Sequence, residues 1–190
     1  MSSSTNLRTW QCTVDDCDYV VSTGPEHLSL DFINNAFATQ EMYWAKPLST
    51  DDMQHMLSNS LTLGLYIVAP RVPPASNTSS PSSPRTPSPT LEDVNAQDLQ
   101  QIGLARFITD NVTTAYLTDV FVAPDYRGKQ LGKWLIACCR EVIEGMPHLR
   151  RALLMASPGQ GKLFYERELG MKDMEAERHH VVCMSRRKYA

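Results

Sequence analysis

The run VFVAPDYRGKQLGKWL, residues 120–135, joins an apolar strand-like segment to an amphipathic one through a Pro-Asp turn and a basic loop with two glycines. A loop passing from a strand that ends at Pro124 into a helix that starts near Gln130 converges backbone N–H groups and the positive helix end on one point. That arrangement suits an anion such as a diphosphate. A P-loop is excluded, because GKQLGKW is one residue short between its glycines and has Trp134 where the magnesium-binding hydroxyl belongs. A dinucleotide fingerprint is excluded as well, since G-x-G-x-x-G is absent and this strand lies mid-chain. The plain alternative is a basic surface turn that caps a helix.

Outward from this loop, the pattern predicts strands at 18–23, 61–68, 101–109, 115–122 and 151–156, with a last strand in HHVVCMSRR. Helices are expected at 26–37, 49–57 (capped by Ser49 or Thr50) and from Leu131, where Leu131, Leu135, Cys138 and Val142 form one apolar stripe. A further helix follows Ser157 as N-cap and Pro158 at its first position, with Gln160 completing a capping box and Gly170 as the stop. The total is an α/β fold with a mixed sheet and helices on both faces.

Composition bounds what such a domain does. The 190 residues are 42% hydrophobic and carry 18 basic against 21 acidic side chains, enough for one domain with a core and too little basicity for nucleic acid to be the default partner. No apolar run approaches the roughly 18 residues that cross a bilayer, and the start lacks a signal-peptide pattern. An intracellular, cytoplasmic protein is expected, with the nucleus open. The five cysteines are scattered without C-x-x-C pairs and read as reduced structural thiols, and adjacent His179 and His180 do not surround a metal, so none is expected. Residues 70–98 form a Pro/Ser-rich insertion between the second and third expected strands. Its composition predicts disorder inside a single domain spanning 1–190. Kinase or partner docking at 70–90, through its Ser-Pro and Thr-Pro pairs, is left open, as is a homodimer.

The run YLTDVFVAPDYRGKQLGKWL resembles the acetyl-CoA-binding motif of the GNAT superfamily of N-acetyltransferases: Gln or Arg, two residues, Gly, one residue, then Gly or Ala, after the fourth strand. Arg127 matches the first position and Gly132 the last. RALLMAS resembles the family's fifth strand, and KLFYERELGMKDM its following helix. The resemblance covers residues 99–175 firmly and implies a GNAT-like, mostly antiparallel sheet of about six or seven strands. Gln130 departs from it by standing at the first motif glycine, where a left-handed backbone would cost ~1 kcal/mol. Its N–H remains, so the anion site is expected to survive with that side chain turned outward.

The resemblance implies acetyl-CoA as co-substrate, bound by Phe121, Val122, Arg127, Gly128, Lys129, Gln130, Leu131, Gly132 and Lys133. Backbone N–H groups of Val120 to Val122 would hold the thioester carbonyl and pantetheine arm. Tyr165 matches the family's general-acid tyrosine, able to protonate the departing thiolate. Asp119, a carboxylate in an apolar strand, is the candidate base for an acceptor ammonium, with a structural hydrogen-bonding role as the alternative; Glu41 is a weaker substitute. Thr118 stands beside it on the acceptor side, and Phe37, Tyr43 and Trp44 are expected as aromatic pocket walls suited to an amine. The function expected is direct acetyl transfer to an amine, foremost a small molecule. The alternatives are a protein lysine or N-terminal acetyltransferase, or a non-catalytic coenzyme-binding module.

Overall fold

The computed structural model describes residues 7–69 and 98–174. The insertion expected at 70–98, but for its last residue, lies outside that set, as do His179, His180 and the expected last strand. The described residues divide into two compact units, with the break between Leu154 and Met155.

The first unit is a six-stranded sheet with strands in sequence order: β1 (Thr9–Val14), β2 (Cys17–Ser22), β3 (Leu61–Val68), β4 (Leu99–Thr109), β5 (Thr114–Val122) and β6 (Arg151–Leu154). The first four neighbouring pairs are antiparallel, and β5 pairs with β6 in parallel. Strand β1 was not anticipated. It closes a hairpin through Asp15 and Asp16, both left-handed at φ 50° and 59°, the backbone that a two-residue turn needs and that aspartate tolerates. Its presence shifts every later strand number by one against the family pattern, so the anion loop follows β5.

Three helices belong to this unit: α1 (Leu30–Phe37), α2 (Thr50–Ser58) and α3 (Leu131–Glu144). The single helix expected over 26–37 is instead a short 3-10 turn at Pro25–His27 followed by α1. The break arises because Ser29 caps α1, its Oγ accepting from the Phe32 N–H at 3.2 Å. Ser49 caps α2 in the same way. Ile33, Ala36 and Phe37 of α1 and Met53 and Leu57 of α2 form one core with Met42, Leu104 and Phe121. The next residue along β5, Val122, meets Gly132 of α3 instead, so the helices cover opposite faces of the sheet. On α3 the expected stripe is buried, with Ile136 and Cys139 added to it.

The second unit holds α4 (Gln160–Leu169). Ser157 does not cap it: Gly159, at φ 81°, is the cap residue, a backbone that favours glycine, and the helix starts at Gln160. Gly170 ends it at φ 64°, as expected. No helix among the described residues is long and apolar enough to cross a membrane.

Candidate active site

Strand β5 sets the site. Opposite Leu104 and Arg106 of β4, which are two residues apart, it places Thr118 and Phe121, which are three apart. The extra residue makes a bulge, and Asp119 stands in it with φ 51°. Strand β6 pairs with β5 only from Thr114 to Leu117, so Thr118 to Val122 run on past the last paired residue of that edge. Backbone groups of Val120 to Val122 therefore lie where the ladder with β6 has stopped.

Beyond β5 the chain makes a 3-10 turn at Pro124–Tyr126 and enters the loop Arg127–Gln130. Gly128 (φ 80°) and Gln130 (φ 63°, ψ 4°) are both left-handed, flanking Lys129. The conformation feared for Gln130 is thus the one adopted, with the side chain exposed as expected. No side chain caps α3, whose first intrahelical bond runs from Trp134 N–H to Gln130 O at 3.0 Å. The N–H groups of Leu131, Gly132 and Lys133 precede that bond at the positive end of a 14-residue helix. Leu131 itself is buried, anchoring the turn. A Cβ on Gly132 would lie 3.8 Å from Val122 Cγ2, ordinary contact, which is why alanine also suits that position.

Arg127 does not point freely at the loop. Its Nη1 and Nη2 donate to Glu41 Oε1 and Oε2 at 2.9 and 2.6 Å, a bidentate pair, while its Nε donates to Val122 O at 2.9 Å. The guanidinium also lies 5.6 Å from the centre of the Phe121 ring. These hydrogen bonds from Arg127 hold the Glu41 carboxyl below the usual carboxylate range. Lys129 Nζ sits 3.9 Å from Asp15 Oδ2, in the β1–β2 turn. Phe121 is a core side chain, and Lys133 is exposed on the first turn of α3.

The acceptor-side residues divide. Phe37 is 5% exposed and packs in the core under α1 and α2, so it lines no open surface. Tyr43 and Trp44, by contrast, are 78% and 52% exposed and meet edge to face at 5.1 Å. Their loop is pinned beneath by buried Met42 and by Ala45 N–H donating to Met42 O at 2.8 Å.

Asp119 is only 4% exposed. Its Oδ2 accepts from Arg106 Nε at 2.8 Å and lies 2.6 Å from Arg106 Nη2, while its Oδ1 accepts from Trp44 Nε1 at 3.0 Å and Thr118 Oγ1 at 3.1 Å. Arg106 and its pairing were not anticipated. The signal existed: a lone arginine in the apolar run QIGLARFIT, on the strand hairpinned to the one carrying a lone aspartate. Tyr165 lies on α4 in the second unit, half-buried, its ring edge to face with Phe164 at 5.2 Å.

Among the described residues the four cysteine thiols are free, and burial raises Cys138 to about 12 and Cys12 to about 11, which makes both poor nucleophiles at neutral pH. Among the described residues no group of three or more His, Cys, Asp or Glu is placed to hold a metal ion.

Residues 94–168 match the family model of the acetyltransferase (GNAT) domain. A curated relative, "Putative acetyltransferase FG08082" of Gibberella zeae, is 35% identical over 156 residues, covering 82% of this chain and 80% of its own. Among solved structures, the fold is similar to a "putative acetyltransferase belonging to the gnat family" from Xanthomonas campestris pv. campestris. That match has TM-score 0.57 and 24% identity and covers 87% of this chain and 93% of that one. A "putative acetyltransferase" from Deinococcus radiodurans R1 has TM-score 0.50 and 17% identity, covering 100% of this chain and 93% of that one. Identities of that order compare folds alone; the curated relative and the domain model carry the assignment: this chain belongs to the GNAT acetyltransferase family.

Proposed function

We propose that this protein transfers an acetyl group from acetyl-CoA directly to the amine of a small molecule. The observation that carries the donor side is the Arg127–Lys133 segment, with two left-handed residues leading into an uncapped 14-residue helix. N–H groups ahead of the first intrahelical bond at such a helix end favour a diphosphate, and Lys129 and Lys133 add positive charge. The backbone of Val120 to Val122, past the end of the β6 ladder, is the edge along which an extended pantetheine arm can pair. Binding on that edge sets the thioester carbonyl against backbone N–H donors, which stabilise negative charge on its oxygen as the amine attacks.

The acceptor nitrogen attacks with its lone pair, so it must be uncharged at that moment. A C–N bond forms and the C–S bond breaks; the departing thiolate takes a proton, for which Tyr165 is assigned as the source, while the proton shed by the nitrogen as it becomes an amide passes to water, from which Tyr165 is reprotonated. Asp119 has about four lone-pair positions, and four donor atoms already fill them. Of the two roles open to it, this favours the structural one, with the amine entering as its free base. The exposed Tyr43 and Trp44 faces give an acceptor an aromatic surface, where an amine-bearing body gains by contact. An open aromatic ledge of two residues is suited to a small molecule.

The test is release of coenzyme A thiol from acetyl-CoA across a panel of small amines and lysine peptides, with wild type and Tyr165→Phe. Amine-dependent, saturable release is expected from small amines, reduced in the variant. Peptide-only turnover would transfer the reading to protein acetylation, and binding without turnover would leave a coenzyme-binding module.

A further inference from the structure

Asp119 occupies a costly position. It is an aspartate at φ 51° in the interior of a strand, 4% exposed and paired with an arginine whose side chain is only 11% exposed. Backbone in that region is held only where the surroundings fix it. The bulge has a local consequence: it adds one residue to β5 between the positions opposite Arg106 and Leu104, and that residue turns its carboxylate into the protein. There one oxygen is taken by the Arg106 fork and the other by two donors, Thr118 Oγ1 and Trp44 Nε1.

Trp44 differs from its neighbours in this arrangement. Half of the residue is exposed, yet its one polar atom is 3.0 Å from a buried carboxylate 75 positions later in the chain. A tryptophan held only by packing on a surface loop can rotate about two side-chain torsions. One tied through its indole N–H to an acceptor that is itself fixed by a guanidinium fork presents a single ring face. The second tie of the same loop, Glu41 to Arg127, reaches the donor loop. The loop of residues 41–44 is thus fastened at both ends to β5 and the segment that follows it.

We propose that Asp119 and Arg106 are positioning residues for the acceptor: the pair locks the Trp44 indole as a fixed wall of the acceptor surface, and so sets which amines are used rather than taking their proton. The proposal rests on the reading of Tyr43 and Trp44 as the acceptor side. A base at Asp119 would have to release one of four donors before it could accept a proton, and for three of the four, Trp44 Nε1 and the two Arg106 nitrogens, the release frees Trp44 or loosens Arg106.

Two kinds of measurement test it on the full chain. The first needs no turnover. In protein labelled with 5-fluorotryptophan, Trp44→Phe identifies the Trp44 fluorine resonance, with Trp10 and Trp134 as internal controls. Asp119→Ala is expected to shift and broaden the Trp44 line while the other two stay in place, and Asp119→Asn, which keeps an amide oxygen for the indole, to move it less. A Trp44 line that stays put in Asp119→Ala, with both controls unmoved, overturns the proposal.

The second is kinetic. Trp44→Phe keeps an aromatic ring, though a smaller one, loses the N–H, and changes only a half-exposed residue, so it carries the test even if Asp119→Ala does not fold. It is expected to raise KM for the amine about tenfold, the value of one charge-assisted hydrogen bond, with kcat falling less than KM rises and the pH profile keeping its shape. Asp119→Asn combined with Trp44→Phe should be no worse than the poorer single variant. If Asp119→Asn instead lowers kcat a hundredfold at saturating amine and removes the acid limb of the profile, while Trp44→Phe does neither, Asp119 is the base and the proposal falls. If the wild type turns over no amine, the fluorine result still decides the positioning claim, so failure of the enzyme reading and failure of the proposal are told apart.

Discussion

Replacing Arg106 by methionine should be among the most damaging single changes available in the sheet. Its guanidinium and the Asp119 carboxylate have side chains 11% and 5% exposed, with Nη2 2.6 Å from Oδ2. Methionine keeps most of the aliphatic stem but leaves the carboxylate in a site with little water and no counter-charge. Breaking such a pair from one side costs about 3–5 kcal/mol, a large share of the roughly 5–15 kcal/mol that holds a typical protein folded. For a chain of this size the midpoint should fall by about 2–4 °C per kcal/mol, which puts the thermal transition of Arg106→Met roughly 6–20 °C below wild type. The assay is urea and thermal denaturation of four proteins: wild type, Arg106→Met, Asp119→Asn and the double variant. Asparagine tolerates the left-handed backbone at 119 and still offers an oxygen to Trp44. With neither charge left, the double variant should recover most of the loss of Arg106→Met. A single-variant cost below about 1 kcal/mol, or a double-variant cost equal to the sum of the singles, would refute the buried-pair reasoning.

Other outcomes follow from the same geometry. Gln130→Gly should leave acetyl-CoA affinity intact and change stability by zero to about +1 kcal/mol, as relief of a left-handed side-chain residue is partly offset by glycine's freedom when unfolded; a loss of more than 1 kcal/mol in denaturation would count against the backbone reading. Gly103→Ala would put a Cβ 2.8 Å from the Phe121 carbonyl oxygen across the bulge, and should cost about 1–3 kcal/mol in the same assay. Hydrogen bonds from the Thr113 side chain and from the Thr113, Val112 and Thr114 N–H groups hold the Asp110 carboxyl well below the usual range in the β4–β5 turn. A depressed folded value contributes stability above the unfolded aspartate range and loses it as pH falls. Asp110→Ala should therefore be less stable than wild type at pH 7, and the gap should close progressively below about pH 4. A gap that stays constant from pH 7 to pH 3 would rule this out.

Much of this architecture is written in local patterns. Strand β3 has the bounds its apolar run suggests, Ser49 caps α2, and the α3 stripe is buried as its spacing requires. Strand β1 could have been read from the alternation of Trp10, Cys12 and Val14, but half-exposed edge strands carry a weak apolar signal and Asp15-Asp16 is not a glycine turn. The start of α4 turned on Gly159 rather than on the better-looking cap Ser157, because the positive φ of one residue outweighs a side-chain preference. Around the site, residue types that bear chemistry stood out, yet their pairings did not. Arg127 and Glu41 are 86 positions apart, and Trp44 and Asp119 are 75 apart; such contacts depend on the register of β4 against β5 and on one bulge that no local pattern announces. Phe37 shows the converse, since an aromatic side chain next to a candidate pocket serves the core just as well.

The loop after β5 is proposed to hold acetyl-CoA for transfer to an amine. The most direct measurement is thiol release from acetyl-CoA with the acetylated amine identified by mass, run across an amine panel. Saturable, amine-dependent release with one acetylated product per thiol is expected. Release no faster than acetyl-CoA hydrolysis for every amine tested would contradict it.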